Sequence, residues 1–122
     1  MKALIVDDSA ATRSFIRRIL EDLGYETVEA ADGDQGLELV QQDPSLDVVL
    51  VDFNMPGMDG ISLIRSIRDA PDRKRLRLVM ITTEAALERV REALGAGADE
   101  YVMKPFTQDI LEEKLRLIGL GA

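Results

Sequence analysis

Several side chains that can take part in chemistry stand where short apolar runs of this sequence end. They are Asp7 and Asp8 after the first run, Asp52 after the third, Thr82 after the fourth and Lys104 after the fifth. Asp52 follows the most apolar run, and the proline and glycines of the next segment, 53–60, cannot extend a strand. Carboxylates, a hydroxyl and an ammonium group are the components of phosphoryl transfer, which depends mainly on positioning and on neutralising charge.

Alternating strands and helices would position these residues. Short apolar runs alternate with longer amphipathic stretches, which is typical of repeated strand–helix units that build a parallel sheet covered on both faces. The predicted strands are 2–6, 26–30, 46–51, 78–81 and 101–103, of which 26–30 is weak and lies at an edge. A helix is predicted near 35–42, and the other helices carry apolar stripes: Phe15, Ile16, Ile19, Leu20 and Leu23 in the first, Ile61, Ile64 and Ile67 in the third, Leu87, Val90 and Leu94 in the fourth, and Ile110, Leu111, Leu115 and Ile118 in the fifth.

Helix ends are marked by glycine, proline and aspartate. Gly24 ends the first helix, Asp43 before Pro44 ends the second, and Asp59 caps the start of the third. We therefore predict an α/β fold in one domain, residues 1–122, around a five-stranded parallel sheet. For the strand order we adopt 2-1-3-4-5, the flavodoxin-like order of doubly wound sheets, in which ligands bind beyond the carboxyl ends of the strands.

Composition excludes several classes of protein. The 122 residues carry a formal net charge of -8, with 23 acidic against 15 basic residues, which argues against binding to nucleic-acid backbones. Because the chain has no cysteine and no histidine, it has no disulfide, no thiolate site and no imidazole metal ligand. The start of the chain turns acidic at Asp7, too early for a signal peptide. We expect a cytoplasmic protein without membrane insertion.

The adopted strand order brings the acidic residues together. The first and third strands are neighbours, about 4.8 Å apart, so we expect Asp7, Asp8 and Asp52 to lie close to one another. Two carboxylates about 5 Å apart repel by roughly 3 kcal/mol at an effective dielectric constant near 20, so positive charge must lie among them. Lys104 supplies one charge, and an all-oxygen cluster favours Mg²⁺. Asp52 is then the candidate nucleophile for an aspartyl phosphate.

The motifs around these residues resemble the receiver domain of bacterial two-component response regulators, most closely a stand-alone regulator of the chemotaxis type. The resemblance covers essentially the whole chain. It is carried by Asp7-Asp8, by the segment DFNMPGMDG at 52–60, by Thr82 and by the segment AGADEYVMKPF at 96–106. Together these motifs are highly specific for the family.

The resemblance implies a phosphorylation site with a bound metal. A histidine kinase would phosphorylate Asp52. Mg²⁺ would be held by Asp8 directly, by Asp7 through water, by Asp52 and by the backbone carbonyl of Asn54. The resemblance also implies a cis peptide bond before Pro105.

The resemblance further implies which residues respond to the phosphoryl group. Thr82 and Lys104 would contact the phosphoryl oxygens, and their movement would be coupled to inward rotation of the aromatic ring of Tyr101. A surface made of residues 86–94, Tyr101 and the last helix would then bind a downstream protein. We expect a monomer whose partners are a histidine kinase, that downstream protein and a phosphatase.

Three residues are expected to set how long the phosphoryl group stays. Asn54 and Glu84, two positions after Asp52 and Thr82, match the chemotaxis-type pattern and imply a short-lived phosphorylated state. Thr83 departs from the small residue usual at its position, and we expect it to narrow access for a phosphodonor or water. That effect opposes fast turnover.

Three alternative readings remain open. An aspartate-nucleophile phosphohydrolase has similar components but usually needs a second aspartate where this chain has Asn54, together with a cap domain. A flavin-mononucleotide binder of the same fold would carry a hydroxyl- and glycine-rich phosphate-binding loop after the first strand, whereas Asp7 and Asp8 would repel a phosphate that is not accompanied by a metal ion. A third reading is the receiver of a larger DNA-binding regulator; because the chain ends soon after the last predicted helix, we expect a complete protein instead.

Overall fold

A parallel sheet of five strands forms the centre of the structure, a computed structural model that describes residues 1–53, 55, 57–70, 72, 75–83 and 88–121. The strands are β1 Lys2–Val6, β2 Glu26–Ala30, β3 Val48–Asp52, β4 Arg77–Thr82 and β5 Glu100–Met103. Their order is β2-β1-β3-β4-β5 and every neighbouring pair is parallel. The predicted fold class and strand order are therefore confirmed, including the edge position of β2.

Among the described residues, five helices connect the strands and cover both faces of the sheet. They are α1 Ala10–Asp22, α2 Gly33–Gln42, α3 Gly60–Asp69, α4 Val90–Ala96 and α5 Gln108–Leu117. Asp59 caps α3 as predicted, since its side chain accepts a hydrogen bond from the Ser62 N–H. The predicted ends near Gly24 and Asp43 are also confirmed. Within the described ranges, no helix is both long and apolar enough to cross a lipid bilayer.

The sheet separates two apolar cores because successive side chains of a strand point to opposite faces. Leu4, Val6, Val49 and Val51 belong to the core under α2, α3 and α4. The alternate residues of the same two strands belong to the core under α1 and α5: Ala3, Ile5, Val48 and Leu50. Both central strands are thus buried on both faces, and the sheet is a rigid platform for the residues at its ends.

Three residues predicted for the apolar stripes are exposed instead of buried. Phe15 is 49% exposed, Leu94 42% and Ile110 43%. Each lies beside the stripe that does face the core: Ile16 next to Phe15, Ala93 next to Leu94 and Leu111 next to Ile110 are all buried. When the apolar stripe of a helix is wider than the face that packs on the core, the residues at its edges remain exposed. Leu87, the other predicted member of the α4 stripe, lies outside the described residues.

The strand bounds differ from the prediction where they matter for chemistry. Asp52 and Thr82 are the last residues of β3 and β4, whereas the sequence placed them just beyond those strands. β3 also begins at Val48 instead of residue 46. The backbones of Asp52 and Thr82 are therefore part of the sheet, where they pair with the neighbouring strands.

Gly60 allows α3 to approach the end of β3 closely. A Cβ atom at this position would lie 2.6 Å from the carbonyl oxygen of Asp52 and 3.1 Å from the terminal methyl of Met80. Because the first of these neighbours is backbone, a side chain could be accommodated only by moving α3 or Asp52. Glycine at this position thus helps to fix the position of Asp52.

We expect Gly60→Ala to lower the free energy of unfolding by about 1 to 3 kcal/mol, the usual range for overpacking a core. Gly95→Ala is the matched control, since a Cβ at Gly95 in α4 meets nothing within 4 Å. That control should gain roughly 0.5 to 1 kcal/mol, because alanine favours a helix interior over glycine. Urea denaturation measures both. Equal effects of the two substitutions would contradict the close contact.

Candidate functional site

The candidate site lies at the carboxyl ends of β1, β3, β4 and β5. Backbone hydrogen bonds continue across the sheet beyond the strands themselves: the Phe53 N–H donates to the Ile81 carbonyl at 2.8 Å, and the Lys104 N–H donates to the Thr82 carbonyl at 2.7 Å. On the other side, the Asp7 N–H donates to the Ala30 carbonyl at 3.1 Å. The residues that follow the strands are therefore held by neighbouring strands.

Three carboxylates meet at this edge, as the sequence predicted. Asp7, Asp8 and Asp52 each offer an oxygen, and these oxygens lie within 4.8 Å of one another. Asp7 is 1% exposed and Asp52 9%, whereas Asp8 is exposed to solvent. Two of the three acidic groups are therefore buried close to like charge, an arrangement that needs a positive partner.

Lys104 supplies positive charge to the two buried carboxylates. Its Nζ lies 3.3 Å from Oδ1 of Asp52 and 3.5 Å from Oδ2 of Asp7. Both distances are long for a charge-assisted hydrogen bond, which is typically 2.7 to 2.9 Å. The ammonium group therefore lies between two partners without a short bond to either.

Burial raises the pKa of the Asp52 carboxyl above its ordinary value. The negative charge of Asp7, and to a smaller degree that of Asp8, raises this pKa further, whereas Lys104 lowers it by its charge and its hydrogen bond. The environment thus disfavours the ionised form of Asp52, which is the form that can act as a nucleophile.

The donor set fits a hard divalent cation. All three side chains offer oxygen, the ligand atom that Mg²⁺ prefers, and the exposure of Asp8 leaves the cluster open to solvent. A cation held by Asp7, Asp8 and Asp52 would offset their mutual repulsion. Two other predicted site residues, Asn54 with its backbone carbonyl and Glu84, lie outside the described residues.

Thr82 is the last residue of β4, and Thr83 follows it. Thr82 is 1% exposed, and its hydroxyl donates to the Thr83 carbonyl at 3.3 Å. Thr83 itself is exposed. Because the Thr82 hydrogen bond is long for a hydroxyl donor, the hydroxyl can turn to another acceptor at small energetic expense.

Tyr101 lies on the edge strand β5 beside α5. The ring is partly buried against the core under α2, α3 and α4. The Nζ atom of Lys114 lies 4.6 Å from the ring centroid and 3.4 Å from Oε1 of Glu100. The same Glu100 oxygen accepts the Tyr101 N–H at 2.9 Å. The ring is therefore in contact with a cation from α5 that is itself paired with β5.

An apolar groove of about 480 Å³ borders the site on the side of α1. The rings of Phe15 and Phe106 contact each other there, with centroids 5.7 Å apart. The peptide bond between Lys104 and Pro105 is cis, in agreement with the resemblance. The groove is lined by Ala11, Thr12, Phe15, Lys104, Pro105 and Phe106.

Two arginines next to the site were missed by the sequence analysis. Arg13 in α1 donates from Nη1 to the backbone carbonyl of Asp7 at 2.7 Å. Arg89, just before α4, places its guanidinium 4.6 Å from the ring centroid of Phe53. The pKa of Asp59 is lowered, first by the hydrogen bond from the Ser62 N–H and in part by the charge of Arg89. Neither arginine follows a strand, so the strand-end pattern gave no signal for them.

Comparisons with known proteins agree with the geometry. A family model described as the response regulator receiver domain matches residues 3–116. The chemotaxis protein CheY of Pseudomonas aeruginosa is 43% identical over 119 residues, which span 97% of this chain and 95% of that protein. The solved structure of the chemotaxis protein CheY4 of Vibrio cholerae has a TM-score of 0.88 and 35% identity, covering 96% of this chain and 97% of that one.

A solved receiver structure with a metal ion is also similar. The receiver domain of sensor histidine kinase PA1611 from Pseudomonas aeruginosa has a TM-score of 0.86 and 30% identity, and the match covers 98% of both chains. That protein was solved with a magnesium ion coordinated in its active site cleft.

Removing the charge of Asp52 should stabilise the fold at neutral pH in the absence of divalent metal. Because its folded-state pKa lies above the ordinary 3.8, the folded protein holds this proton more tightly than the unfolded chain, so ionisation of Asp52 opposes folding. Asp52→Asn should therefore raise the free energy of unfolding by about 1 to 3 kcal/mol, the order of magnitude of the repulsion of one carboxylate pair about 5 Å apart.

The gain should disappear as the pH falls through the folded-state pKa of Asp52 towards 3.8, because the parent carboxyl is then protonated as well. Urea denaturation across this pH range measures it. Asp22→Asn, the same change at an exposed residue of α1, should have little effect. A loss of stability in Asp52→Asn at neutral pH would contradict the electrostatic description.

Proposed function

Since the chain belongs to the response regulator receiver family of two-component systems and is close to the CheY chemotaxis proteins, we propose that it is a signalling switch phosphorylated on Asp52. Receivers of this type take phosphoryl groups from histidine kinases and act as signalling phosphoacceptors, not as classical enzymes. The observation that carries the proposal is the burial of Asp52 between a carboxylate cluster and Lys104.

In the proposed reaction, a carboxylate oxygen of Asp52 attacks the phosphorus of a phosphohistidine on the kinase. A phosphorus–oxygen bond forms, the phosphorus–nitrogen bond breaks, and the imidazole nitrogen keeps the electron pair and takes up a proton. The raised pKa of Asp52 supports this role, because a destabilised carboxylate is a more reactive nucleophile. Self-phosphorylation and self-dephosphorylation would be slow side reactions of the same group.

We assign the metal site to Asp8, Asp7 through water, Asp52 and the backbone carbonyl of Asn54. When bound, Mg²⁺ supplies the positive charge that compensates the carboxylates and the phosphoryl oxygens. The acidic cluster of this chain and the magnesium ion in the similar receiver domain support the assignment.

Lys104 and Thr82 would bind the oxygens of the phosphoryl group. Lys104 bonds loosely to both buried carboxylates, so a phosphoryl group with more negative charge would attract its ammonium group. The Thr82 hydroxyl, now on the Thr83 carbonyl, would turn to a phosphoryl oxygen. We propose that these two movements bias the position of Tyr101.

The surface formed by α4, β5 and α5 would bind the downstream protein in response. The presence of exposed apolar side chains on each of the three elements supports this role, since such side chains are available for contact with a protein. They are Leu94 on α4, Met103 on β5, and Ile110 and Leu117 on α5. Phosphorylation would change the population of the binding-competent state of this surface.

The proposed setting is a chemotaxis-type pathway in the cytoplasm, with a phosphatase as an additional partner. Asn54, Thr83 and Glu84 would set the lifetime of the phosphorylated state. The exposure of Thr83 beside Thr82 supports a role in controlling access to the phosphoryl group.

Incubation with a small acyl phosphate and Mg²⁺ should add one labile phosphoryl group to the parent protein, as measured by intact mass spectrometry. Asp52→Asn should gain none, because its amide is not a nucleophile. Asp22→Asn, with the same substitution at an exposed position, should behave as the parent does. A phosphoryl gain in Asp52→Asn, or an undiminished gain in the presence of a chelator of divalent metals, would refute the assignment.

Lys104→Ala should still accept the phosphoryl group but should lose the response of the surface formed by α4, β5 and α5. In the parent, phosphorylation should change amide hydrogen exchange in α4, β5 and α5, and this change should be absent in Lys104→Ala. Arg18→Ala, which removes an exposed positive charge from α1, should keep the response. The switch role fails if the parent shows no change, or if Lys104→Ala shows the same change as the parent.

A further inference from the structure

The guanidinium of Arg13 connects three parts of the structure at the metal side of the site. Its Nη1 donates to the Asp7 carbonyl at 2.7 Å, and its Nε donates to Oε1 of Glu29 at 3.1 Å. Glu29 lies in the edge strand β2, and Arg13 lies in the second turn of α1. The Arg13 side chain is 17% exposed, so these bonds are shielded from much of the solvent.

The hydrogen bond from Arg13 to the Asp7 carbonyl is one of three that hold the loop carrying the two acidic residues. The Asp7 N–H donates to the Ala30 carbonyl at 3.1 Å, and the Ser9 N–H donates to Oδ1 of Asp7 at 2.9 Å. The remaining Asp7 carbonyl belongs to the peptide unit that joins Asp7 to Asp8. Rotation of this peptide unit would turn the two acidic side chains relative to each other, and Arg13 opposes that rotation.

We propose that Arg13 is a positioning residue for the cation site, which it orders through the Asp7–Asp8 peptide unit without contacting the ion. This inference rests on the proposed function, because it takes Asp7 and Asp8 as metal ligands. Groups that orient metal ligands through hydrogen bonds typically contribute about tenfold to a hundredfold to metal affinity.

A positive charge near a cation site could instead weaken metal binding. In this structure the charge of Arg13 is partly offset, because Glu29 pairs with it at 3.1 Å. Glu29 also pairs with Arg17, whose Nη1 lies 2.9 Å from Oε2. The two arginines therefore share one carboxylate, but only Arg13 is bonded to the Asp7 carbonyl. This difference provides a matched control.

The test is a calorimetric titration of the unphosphorylated full chain with MgCl₂. Arg13→Met should weaken Mg²⁺ binding about tenfold, the lower end of the usual range for such groups. Arg17→Met removes the other partner of Glu29 and should leave Mg²⁺ affinity unchanged. Arg13→Lys keeps the charge and a donor and should restore most of the affinity. Urea denaturation of each variant measures stability separately, and a merely structural role would lower stability without changing Mg²⁺ affinity.

Each other outcome is decisive. Unchanged or tighter Mg²⁺ binding by Arg13→Met would overturn the inference and leave the proposed function intact, as would equal weakening by Arg13→Met and Arg17→Met. No Mg²⁺ binding by the parent would overturn the proposed metal site and this inference with it. If Arg13→Met does not fold, Arg13→Gln, which also lacks the charge and the fork of donors, replaces it with the same expected weakening.

Discussion

The repulsion among Asp7, Asp8 and Asp52 is the constraint on which the rest of this structure depends. Their oxygens lie within 4.8 Å of one another, and two of the three groups are buried. Like charges at this distance separate unless the backbone on both sides prevents it. The two apolar cores hold the ends of β1 and β3 together, so hydrophobic burial maintains an electrostatically unfavourable arrangement.

Several side-chain contacts around this cluster are long. Lys104 reaches both buried carboxylates at more than 3 Å, and the Thr82 hydroxyl has a long bond to a neighbouring carbonyl. The contacts that fix the backbone are shorter, such as the 2.7 Å bond from Lys104 N–H to the Thr82 carbonyl. A rigid backbone thus carries side chains whose partners can change, which is the combination that a switch requires.

Much of the site could be predicted because it follows from strand ends. Parallel strands present their carboxyl ends at one edge, so Asp7, Asp52, Thr82 and Lys104 were assigned to one place from the order of the strands. The helices were found by their apolar spacing, but that spacing did not show where the buried face stops. Phe15 satisfies the pattern and is still exposed, because Ile16 and Ile19 already fill the space under α1.

Neither the strand ends nor the apolar spacing of the helices could predict the role of Arg13. Its importance comes from one bond to a backbone carbonyl and one to Glu29, sixteen positions further along the chain. Such contacts depend on how α1 sits on the edge of the sheet, and the local sequence does not encode that position. Reactive residues at strand ends can therefore be predicted from the sequence. The residues that orient them through tertiary contacts can be identified only from the three-dimensional structure.

The contact between Lys114 and Tyr101 also has a spectroscopic consequence. The chain has no tryptophan and two tyrosines, so its intrinsic ultraviolet fluorescence comes from two rings. Tyr25 is 6% exposed and precedes β2, at the opposite end of the sheet from the acidic cluster, whereas Tyr101 is partly buried beneath a cation on the outer strand. A rotation of Tyr101 would take its ring away from the ammonium group and leave Tyr25 as a constant background. Tyrosine fluorescence would therefore report the proposed rotation of Tyr101 without an added label.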